Sequence, residues 1–467
     1  MQVFTYSGAR FSPYGDEQRP GVSETGGAHD DWQAPRAIAP LAARVSLPGS
    51  KSLTNRELVL SALADSPSVL KRPLHSRDSL LMIEALRSLG VVIDEIAGDG
   101  LYGPDLRIAP PTELSGSTSV DCGLAGTVMR FLPPVAALAL GPVAFDGDES
   151  ARRRPMRTTI DSLRALGVDV NDDGRGALPF SLWGTGAVRG GEITIDASAS
   201  SQFVSGLLLA APRFTDGLVL RHTGDRLPSM PHIEMTVAAL AARGVVVDSP
   251  EPGVWVVPAA PIAGRELTIE PDLSNAAPFL VAAIVAGGTV TIEGWPISTT
   301  QVGADLATLL PLFGAAVHRD GDALVVDGGA GLLGGATMPG VALDLSTGGE
   351  LAPALVALAA LASSPSTITG IGHLRGHETD RLAALAAEIT GLGGSVTELD
   401  EGLAIEPRPL RGGLWRAYED HRMATAGAIV GLAVDGVLVD DIGATAKTLP
   451  QFTELWGRML DQTATAL

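Results

Sequence analysis

The chain has 467 residues, 45% of them hydrophobic and 18% charged, which is typical of a globular protein. This length exceeds what one core usually supports and predicts two or three domains. The formal net charge of −20 disfavours nucleic acid and anionic membranes as partners, because both select basic surfaces. The lone Cys122 excludes an internal disulfide and favours a cytoplasmic location. The longest apolar run, 351–362, is too short to cross a bilayer and predicts a buried helix.

Residues 1–35 are rich in Gly, Pro, Ser and Asp without apolar periodicity, which predicts a disordered tail. From residue 42 onward, short apolar runs alternate with longer Ala/Leu-rich segments. The short runs predict strands that include residues 45–47, 143–145, 218–220, 290–292 and 437–439. The segments 58–64 and 424–433 are apolar nearly all round, so they predict internal helices with sheets wrapped outside them.

One pattern recurs six times along the chain: a small polar cluster opens an apolar helix, at intervals of 71 to 76 residues. The clusters occupy residues 50–52, 125–127, 200–202, 273–275, 349–351 and 420–422. Such self-similarity predicts one supersecondary unit copied six times. Helix starts carry free N–H groups and the positive end of a dipole, so they are natural anion sites.

Three repeats make about 220 residues, a reasonable domain size. We therefore expect residues 49–270 to form domain II from repeats one to three. Residues 271–467 would form domain I from repeats four to six, completed by residues 36–48. The helix starts of both domains would then face each other across a cleft.

The first cluster, within residues 48–56, combines a helix start with three polar side chains. If the helix begins near Ser52, then Ser52 and Arg56 share one face and Lys51 stands just before them. A hydroxyl, an ammonium and a guanidinium would converge on one phosphate or carboxylate. The segment is not a Walker A loop, because no glycine directly precedes the lysine. The alternative is an ordinary capped helix with solvated cations.

The next motifs supply a glycine and an arginine. Gly126 would let a ligand approach the backbone closely, and a packing turn is the alternative. Pro155 at the first position of a helix would hold Arg154 just outside it. The alternative for the run Arg152–Arg154 is a solvated patch of charge.

Residues 200–202 place two hydroxyls and an amide at a helix start. Serine capping explains one of Ser200 and Ser201 without any function. The other serine and Gln202 remain candidates for ligand binding. Ser229, which precedes Pro231, is a weaker candidate of the same kind.

His377 and Glu378 resemble the start of a zinc-binding helix, but the fifth residue is Arg381 where a histidine is needed. A zinc site is therefore rejected. Glu378 and Arg381, three residues apart, are expected either to pair on one helical face or to contact a ligand.

Two further clusters open helices that are too apolar to be exposed. His421 and Arg422 would be buried at a helix start and need an acceptor there, either a carboxylate or a ligand anion. Glu350 stands before an equally apolar helix, where it is either a capping carboxylate or a general base.

In this order the motifs resemble those of the 5-enolpyruvylshikimate-3-phosphate (EPSP) synthase family, over residues 45–460. The resemblance rests on residues 47–52 with 55–56, 125–127 with Arg130, 154–156, 200–203, 378–381, 420–423 and 446–448. It implies transfer of the enolpyruvyl group of phosphoenolpyruvate to the 5-hydroxyl of shikimate 3-phosphate, releasing phosphate. This reaction belongs to the shikimate pathway to chorismate and aromatic amino acids. The implied fold is α/β (α+β), with two domains of three βαβαββ units each.

The resemblance also implies the substrate contacts. Shikimate 3-phosphate would contact Lys51, Ser52, Arg56, Ser200, Ser201, Gln202, Ser229, Glu350 and His377. Phosphoenolpyruvate would contact Lys51, Gly126, Arg154, Gln202, Arg381, Arg422 and Lys447. The two substrates carry a total charge of about −5 to −6, which six cations among these residues balance. No metal and no cofactor is therefore expected.

The implied chemistry is addition followed by elimination. Glu378 would protonate the methylene carbon of phosphoenolpyruvate, a role that requires a raised pKa, which burial favours. Lys51 and Glu350 would handle the 5-hydroxyl proton, with His421 nearby. Closure of the two domains would align the substrates and exclude water.

The chain departs from the commonest family pattern at Leu124, Phe131, His232, His373, His377 and Glu350. His377 replaces a lysine, and a histidine is only partly charged near neutrality, so its hold on the substrate phosphate is expected to weaken as pH rises. Gly126 keeps the space that admits glyphosate in this family, which predicts inhibition by that compound.

Two alternatives remain open. One is the related UDP-N-acetylglucosamine enolpyruvyl transferase, which places a reactive cysteine before the Arg-Pro pair, whereas residues 146–153 here contain none. The other is a non-catalytic anion-binding relative on the same fold. We expect a cytoplasmic monomer with small-molecule substrates, without nucleic acid or membrane partners.

Overall fold

The computed structural model describes residues 31–99, 101–224 and 226–463. Most of the predicted tail, residues 1–30, lies outside the described residues. Its last part is described, and Trp32–Gln33 forms a strand that pairs with residues 438–439. Regular structure therefore begins before residue 35, the end of the tail expected from the sequence. Among the described residues, no helix has both the length and the apolarity needed to span a membrane.

The helices follow the repeat. The described α-helices are α1 Lys51–Ala62, α2 Arg77–Ser88, α3 Gly126–Ala136, α4 Glu149–Arg152, α5 Arg157–Ala165, α6 Gln202–Ala210, α7 Met230–Ala241, α8 Ala277–Ala286, α9 Leu306–Leu309, α10 Ala352–Ala359, α11 Arg381–Gly391, α12 His421–Ala433 and α13 Phe452–Asp461. All residues of α3, α8 and α10 are buried, as their uninterrupted apolar sequences require. The prediction of internal helices is confirmed.

The strands are short. They are β1 Trp32–Gln33, β2 Leu41–Val45, β3 Ser68–Lys71, β4 Val92–Ile96, β5 Asp105–Ala109, β6 Thr118–Asp121, β7 Leu140–Asp146, β8 Asp169–Asn171, β9 Phe180–Thr185, β10 Gly191–Ile195, β11 Leu218–His222, β12 Val254–Val257, β13 Glu266–Thr268, β14 Gly288–Ile292, β15 Ala316–Asp320, β16 Ala323–Asp327, β17 Ala342–Asp344, β18 Ser366–Thr369, β19 Ser395–Leu399, β20 Gly402–Glu406, β21 Gly413–Trp415 and β22 Val437–Val439. They form six sheets of three or four strands.

All six sheets share one pairing pattern. Each has an inner strand with one parallel and one antiparallel neighbour, and the six inner strands are β3, β7, β11, β14, β18 and β22. In β7, for example, Phe145 lies opposite Val120 of the parallel β6 and Phe180 of the antiparallel β9. The mixed α/β architecture and its sixfold repeat, both predicted from the sequence, are confirmed.

The buried apolar side chains form two clusters. The first core takes its residues from Leu58 to Ile262. The second core takes them from Ala34 to Leu47 and from Leu273 to Met459. In both, the helices contribute the centre of the cluster and each sheet covers it with one face, as in β2, where buried and exposed residues alternate.

The chain passes between the two cores twice. β2 pairs in parallel with β14, which places the residues before Pro48 in the second core. β13 pairs in parallel with β3 of the first core. The two connections are hydrogen-bonded to each other, from Ser50 N to Glu270 O at 2.8 Å and from Asp272 N to Pro48 O at 2.9 Å. Gly49 is required there, because a Cβ would lie 2.4 Å from the carbonyl oxygen of Arg72.

An ion pair is buried in the first core. Arg243, after α7, donates to Glu57 of α1 at 2.9 and 2.7 Å, and its remaining donors reach Ser61, Ser68 and a backbone carbonyl. Both side chains are at most 5% exposed. Because all five N–H groups of Arg243 point at acceptors, the pair ties two helices of the first core together.

Candidate active site

A cleft of about 1280 Å³, including space open to solvent, lies between the two cores. Every site residue predicted from the sequence lines this cleft except Lys447. Lys447 is 2% exposed and lies behind Glu378, with which it forms an ion pair. Residues spread over most of the chain thus meet at one place.

Helix starts explain why they meet. Lys51, Gly126, Gln202 and His421 are the first residues of α1, α3, α6 and α12, and Glu350 lies in the 3-10 turn 349–351 just before α10. In a repeat fold, equivalent helices begin at equivalent depths. Free backbone N–H groups from both cores therefore surround the cleft and make it favourable for anions.

Lys51 and Arg56 differ in the protein groups that their side chains contact. The Lys51 ammonium lies 3.7 Å from the Asp78 carboxylate, and its backbone N–H donates to Asp272 at 3.0 Å. Arg56 is 2% exposed and donates to Thr236, to the Ser52 carbonyl and to the His232 carbonyl at 2.8–2.9 Å. Burial lowers the pKa of Arg56 to about 10, against the opposing charge of Glu350, so it remains cationic at neutral pH.

Gly126 and Arg154 lie side by side with Gln202. A Cβ on Gly126 would lie 3.1 Å from Gln202 Oε1 and 3.2 Å from Arg154 Nη2. Arg154 donates to the Leu124 carbonyl at 3.3 Å, while its buried Nε has no partner among the described residues. The expected helix position of Pro155 is wrong. Helix α5 begins at Arg157 with Met156 as its N-cap, so the proline lies one residue before the cap.

The hydroxyl groups of the third repeat stand at the start of α6. Ser200 Oγ accepts the Gln202 N–H at 3.2 Å, which is the capping role that the sequence allowed for one serine. Ser201 is buried and, in the described part of the chain, makes no capping bond to the helix, so its hydroxyl is available to the cleft. Ser229 precedes α7 in the left-handed conformation, with φ 54° and ψ 48°.

Glu378 lies within a cluster of charges. Arg381 donates to Glu378 at 3.0 Å and to Asp420 at 2.7 and 3.2 Å, and Lys447 pairs with the other Glu378 oxygen. Asp420 also caps α12 by accepting the Arg422 N–H at 2.8 Å. Helix α11 begins only at Arg381, after its N-cap Asp380. Glu378 therefore precedes the helix and Arg381 is its first residue, so the expected ion pair forms but its expected placement on one helical face is wrong.

The expected raised pKa of Glu378 is also wrong. Burial alone would raise it, but Lys447, Arg381 and Arg154 together hold the pKa of Glu378 well below its usual range. The Glu378 carboxylate is therefore ionised at neutral pH.

Glu350 is contacted from both cores. The Ser274 hydroxyl donates to Oε1, His232 Nε2 lies 3.2 Å from Oε2, and Arg422 Nη2 lies 3.8 Å from Oε2. Burial would raise the pKa of Glu350, but His232 and Arg422 outweigh it and the pKa lies below the usual range. Glu350 is thus an ionised carboxylate at neutral pH.

The two histidines of the predicted site are less basic than usual. Burial, followed by the charge of Arg381, lowers the pKa of His377, and burial with Arg422 and Lys51 lowers that of His421. His377 is therefore mainly neutral at pH 7, which corrects the expectation of a partly charged group. Neither buried ring nitrogen of His421 has a hydrogen-bond partner among the residues described, and Nδ1 lies 3.6 Å from Asp420 Oδ1.

Several cleft residues were not among the site residues predicted from the sequence. They are Thr127, Arg130, His232, Asp272, Ser274, Asn275, Gln301 and His373. Asp78 was not predicted either; it does not line the cleft but contacts Lys51. Ser274 had a signal, because it belongs to the fourth polar cluster of the repeat. Asp78 and Asp272 had none, since each acts through a contact with Lys51 made in the folded chain. Within the described ranges, no group of three or more Asp, Glu, His or Cys side chains could hold a metal ion.

Comparisons with known proteins agree on one family. Residues 35–456 match the family model for EPSP synthase (3-phosphoshikimate 1-carboxyvinyltransferase). A relative from Kocuria rhizophila, named 3-phosphoshikimate 1-carboxyvinyltransferase, is 55% identical over 439 residues, covering 93% of this chain and 97% of that protein. An EPSP synthase structure from Acinetobacter baumannii superposes with a TM-score of 0.74 at 24% identity, covering 91% and 97% of the two chains. The enolpyruvyl transferase NikO from Streptomyces tendae has the same fold, with a TM-score of 0.68 at 18% identity over 91% and 96%.

Proposed function

The chain belongs to the EPSP synthase family, and from this premise we propose that its cleft transfers the enolpyruvyl group of phosphoenolpyruvate to the 5-hydroxyl of shikimate 3-phosphate, releasing phosphate. The observation that carries the proposal is the meeting of cations and hydroxyls from both cores at one cleft, together with the carboxylates of Asp272, Glu350 and Glu378. Two small, highly charged anions match this lining, whereas an apolar ligand would leave the cations without partners.

Phosphoenolpyruvate occupies the side of the cleft that holds Arg154 and Glu378. Its phosphate and carboxylate contact Lys51, Gly126, Arg154, Gln202, Arg381, Arg422 and Lys447. Support comes from two contacts: Gly126, Gln202 and Arg154 adjoin one another, and Arg381 and Lys447 share the carboxylate of Glu378. An anion placed between these two groups lies near Arg154, Arg381 and Lys447, the three cations that act on Glu378.

Shikimate 3-phosphate lies against the helix starts of the first core. It contacts Lys51, Ser52, Arg56, Ser200, Ser201, Gln202, Ser229, Glu350 and His377. Most N–H donors of Arg56 already bond to protein acceptors, so Arg56 attracts the substrate through its positive charge and makes few direct hydrogen bonds to it. A mainly neutral His377 contributes a hydrogen bond in place of charge.

The reaction needs an acid and a base in opposite protonation states. Glu350 takes the 5-hydroxyl proton, with the Lys51 ammonium and the neutral His421 beside the same oxygen, as this oxygen bonds to C2 of phosphoenolpyruvate. Glu378 delivers a proton to the methylene carbon C3. Phosphate then leaves from C2 while C3 returns a proton, which restores the double bond.

Substrate binding itself prepares Glu378 as an acid. The cations that depress its pKa are those assigned to phosphoenolpyruvate, Lys447, Arg381 and Arg154. A bound anion takes these partners and adds negative charge beside the carboxylate, and both effects raise its pKa. The acid state therefore develops only in the loaded enzyme.

The chain has two domains, residues 49–270 and residues 36–48 with 271–467, which close on the substrates. It acts as a cytoplasmic monomer. X-ray scattering that shows a smaller radius of gyration with both ligands supports closure. Light scattering that gives twice the chain mass contradicts the monomer.

The related UDP-N-acetylglucosamine enolpyruvyl transferase activity is disfavoured by the chemistry of the thiol. Cys122 is fully buried, and burial raises its pKa above the usual range. Such a thiol is not a reactive thiolate, and residues 146–153 hold no other.

The direct test measures phosphate released when both substrates are mixed with the purified protein. Shikimate 3-phosphate supports turnover, UDP-N-acetylglucosamine does not, and mass spectrometry finds the enolpyruvyl ether in equal amount to phosphate. Lys51→Met abolishes turnover, whereas Lys71→Met leaves it unchanged, since Lys71 pairs with Glu266 on the surface. Tight binding of shikimate 3-phosphate without turnover would identify a non-catalytic relative.

A further inference from the structure

One short segment of the first core reaches across the cleft at three points. In residues 226–232, Arg226 pairs with Glu401 at 2.5 and 2.7 Å, Ser229 N–H donates to the Ser346 carbonyl at 3.5 Å, and His232 approaches Glu350. The partners Ser346, Glu350 and Glu401 all belong to the chain that builds the second core. Of the three contacts, only that of His232 ends on a residue of the reaction site.

The His232 backbone is anchored to the first core. It is the third residue of α7, and its N–H donates to the Ser229 carbonyl at 3.0 Å. Its own carbonyl accepts Arg56 at 2.8 Å and Thr236 at 3.1 Å. Arg56 and Thr236 are both buried. The imidazole therefore extends from a fixed point, and its position follows the first core when the cores move.

The other contacts of Glu350 come from the second core. Ser274, just before α8, donates to Oε1, and Arg422 of α12 lies 3.8 Å from Oε2. The imidazole Nε2 of His232 is nearer to Oε2, at 3.2 Å. Oε2 thus has its short contact with a group on the opposite side of the cleft. A proton on Nε2 is present in the imidazolium and in one neutral tautomer, so this bond does not require a charged ring.

We propose that His232 is a positioning residue that fixes the Glu350 carboxylate when the two cores close. The proposal rests on the proposed function, in which Glu350 accepts the 5-hydroxyl proton. With the cores apart, His232 moves away with α7 and Oε2 keeps only the longer approach of Arg422. With the cores closed, Glu350 is held from both sides and one orientation is selected. The base is thereby assembled by the same motion that excludes water.

A positioning role for His232 changes kcat, whereas a substrate-binding role would change KM. His232→Ala keeps the helix and the Arg56 contact, which uses the backbone carbonyl, but removes the bond to Oε2. A positioned general base contributes about 10²–10⁴ in rate, so loss of positioning lowers kcat by about ten-fold or more. The KM of each substrate stays within about three-fold, because the cations remain in place. His232→Gln, whose amide N–H can reach the same oxygen, restores most of kcat.

The matched control is His318→Ala, which removes an exposed imidazole from β15 and leaves both constants at wild-type values. A double-mutant cycle with Glu350→Gln tests the partner: adding His232→Ala there costs no more than about two-fold, because the carboxylate it positions is absent. Urea unfolding of each variant confirms that the fold is intact.

Three results overturn the proposal. The first is a raised KM for shikimate 3-phosphate with unchanged kcat in His232→Ala, which makes the imidazole a substrate ligand. The second is a full additional loss in the Glu350→Gln background, and the third is wild-type kcat in His232→Ala. The failure of the proposed function looks different, since the wild-type protein itself would then release no phosphate from the two substrates.

Discussion

Replacing Glu378 by glutamine separates acid catalysis from anion binding at the centre of the cleft. The substitution keeps the shape of the side chain and removes the proton that C3 of phosphoenolpyruvate must receive. General acid catalysis contributes about 10²–10⁴ in rate, so kcat falls by that factor, which corresponds to about 3–5 kcal/mol on the barrier. The same change removes the ion pairs of Glu378 with Lys447 and with Arg381, now 3.0 Å away, while Arg381 keeps its pair with Asp420.

The freed cations set the expected direction for binding. Two unit charges 4 Å apart interact by about 4 kcal/mol at an effective dielectric constant of about 20, so Glu378 competes strongly with phosphoenolpyruvate for both cations. The KM for phosphoenolpyruvate is therefore unchanged or lower in Glu378→Gln.

Steady-state phosphate release, with calorimetric titration of phosphoenolpyruvate in the presence of shikimate 3-phosphate, gives both quantities. The control is Glu406→Gln, which alters an exposed glutamate of β20 and keeps wild-type constants. Activity within ten-fold of wild type, or a large rise in KM with kcat retained, would refute the assignment of Glu378 as the acid.

Three further predictions test the pKa change of Glu378 on binding, the space beside Gly126 and the stability of the first core. Binding of phosphoenolpyruvate raises the pKa of Glu378 from below its usual range, so the protein takes up protons on binding and its affinity for phosphoenolpyruvate falls as pH rises. Calorimetry at pH 7 in buffers of different ionisation enthalpy finds more proton uptake by wild type than by Glu378→Gln. Equal proton uptake by the two proteins contradicts this prediction. The methyl group added by Gly126→Ala crowds its neighbours at a cost of about 1–3 kcal/mol, so the inhibition constant of glyphosate rises by about ten-fold or more. Unchanged sensitivity to glyphosate would contradict the steric argument. Arg243→Met leaves Glu57 buried without its partner and lowers the free energy of unfolding by about 3–5 kcal/mol in urea; a loss under 1 kcal/mol argues against the pair.

The repeat made much of the fold predictable from the sequence. A polar cluster before an apolar helix is a local pattern, and its period of 71 to 76 residues placed the starts of α1, α3, α6 and α12 within one or two residues. Because these starts share one phase, their common location at a cleft followed without knowledge of any contact. The family resemblance added the chemical roles.

Helix boundaries near proline and before α11 were less predictable. Pro155 suits the first turn of a helix, yet the chain begins α5 two residues later. The segment with Glu378 has helical spacing, but Asp380 caps the helix after it. In both places several starts have similar local energies, and tertiary contacts such as that of Arg381 with Asp420 select one.

The protonation states of the site residues could not be predicted from the sequence. Burial of Glu378 suggested a raised pKa, but the opposite shift results from Lys447, which is 69 residues away along the chain. The contact of His232 with Glu350 likewise joins residues of different cores and leaves no periodic signal. The first pair forms within the second core and the second pair between the cores, and both depend on contacts made only in the folded chain.

The most direct test of the account is a crystal structure of Glu378→Gln with shikimate 3-phosphate and phosphoenolpyruvate bound, since the slowed variant retains both. We expect both phosphates in the cleft between the two cores, at hydrogen-bond distances of about 2.7–3.2 Å from a set that includes Lys51, Arg154, Arg381 and Lys447. Substrates bound elsewhere, with these four cations turned to bulk solvent, would contradict it.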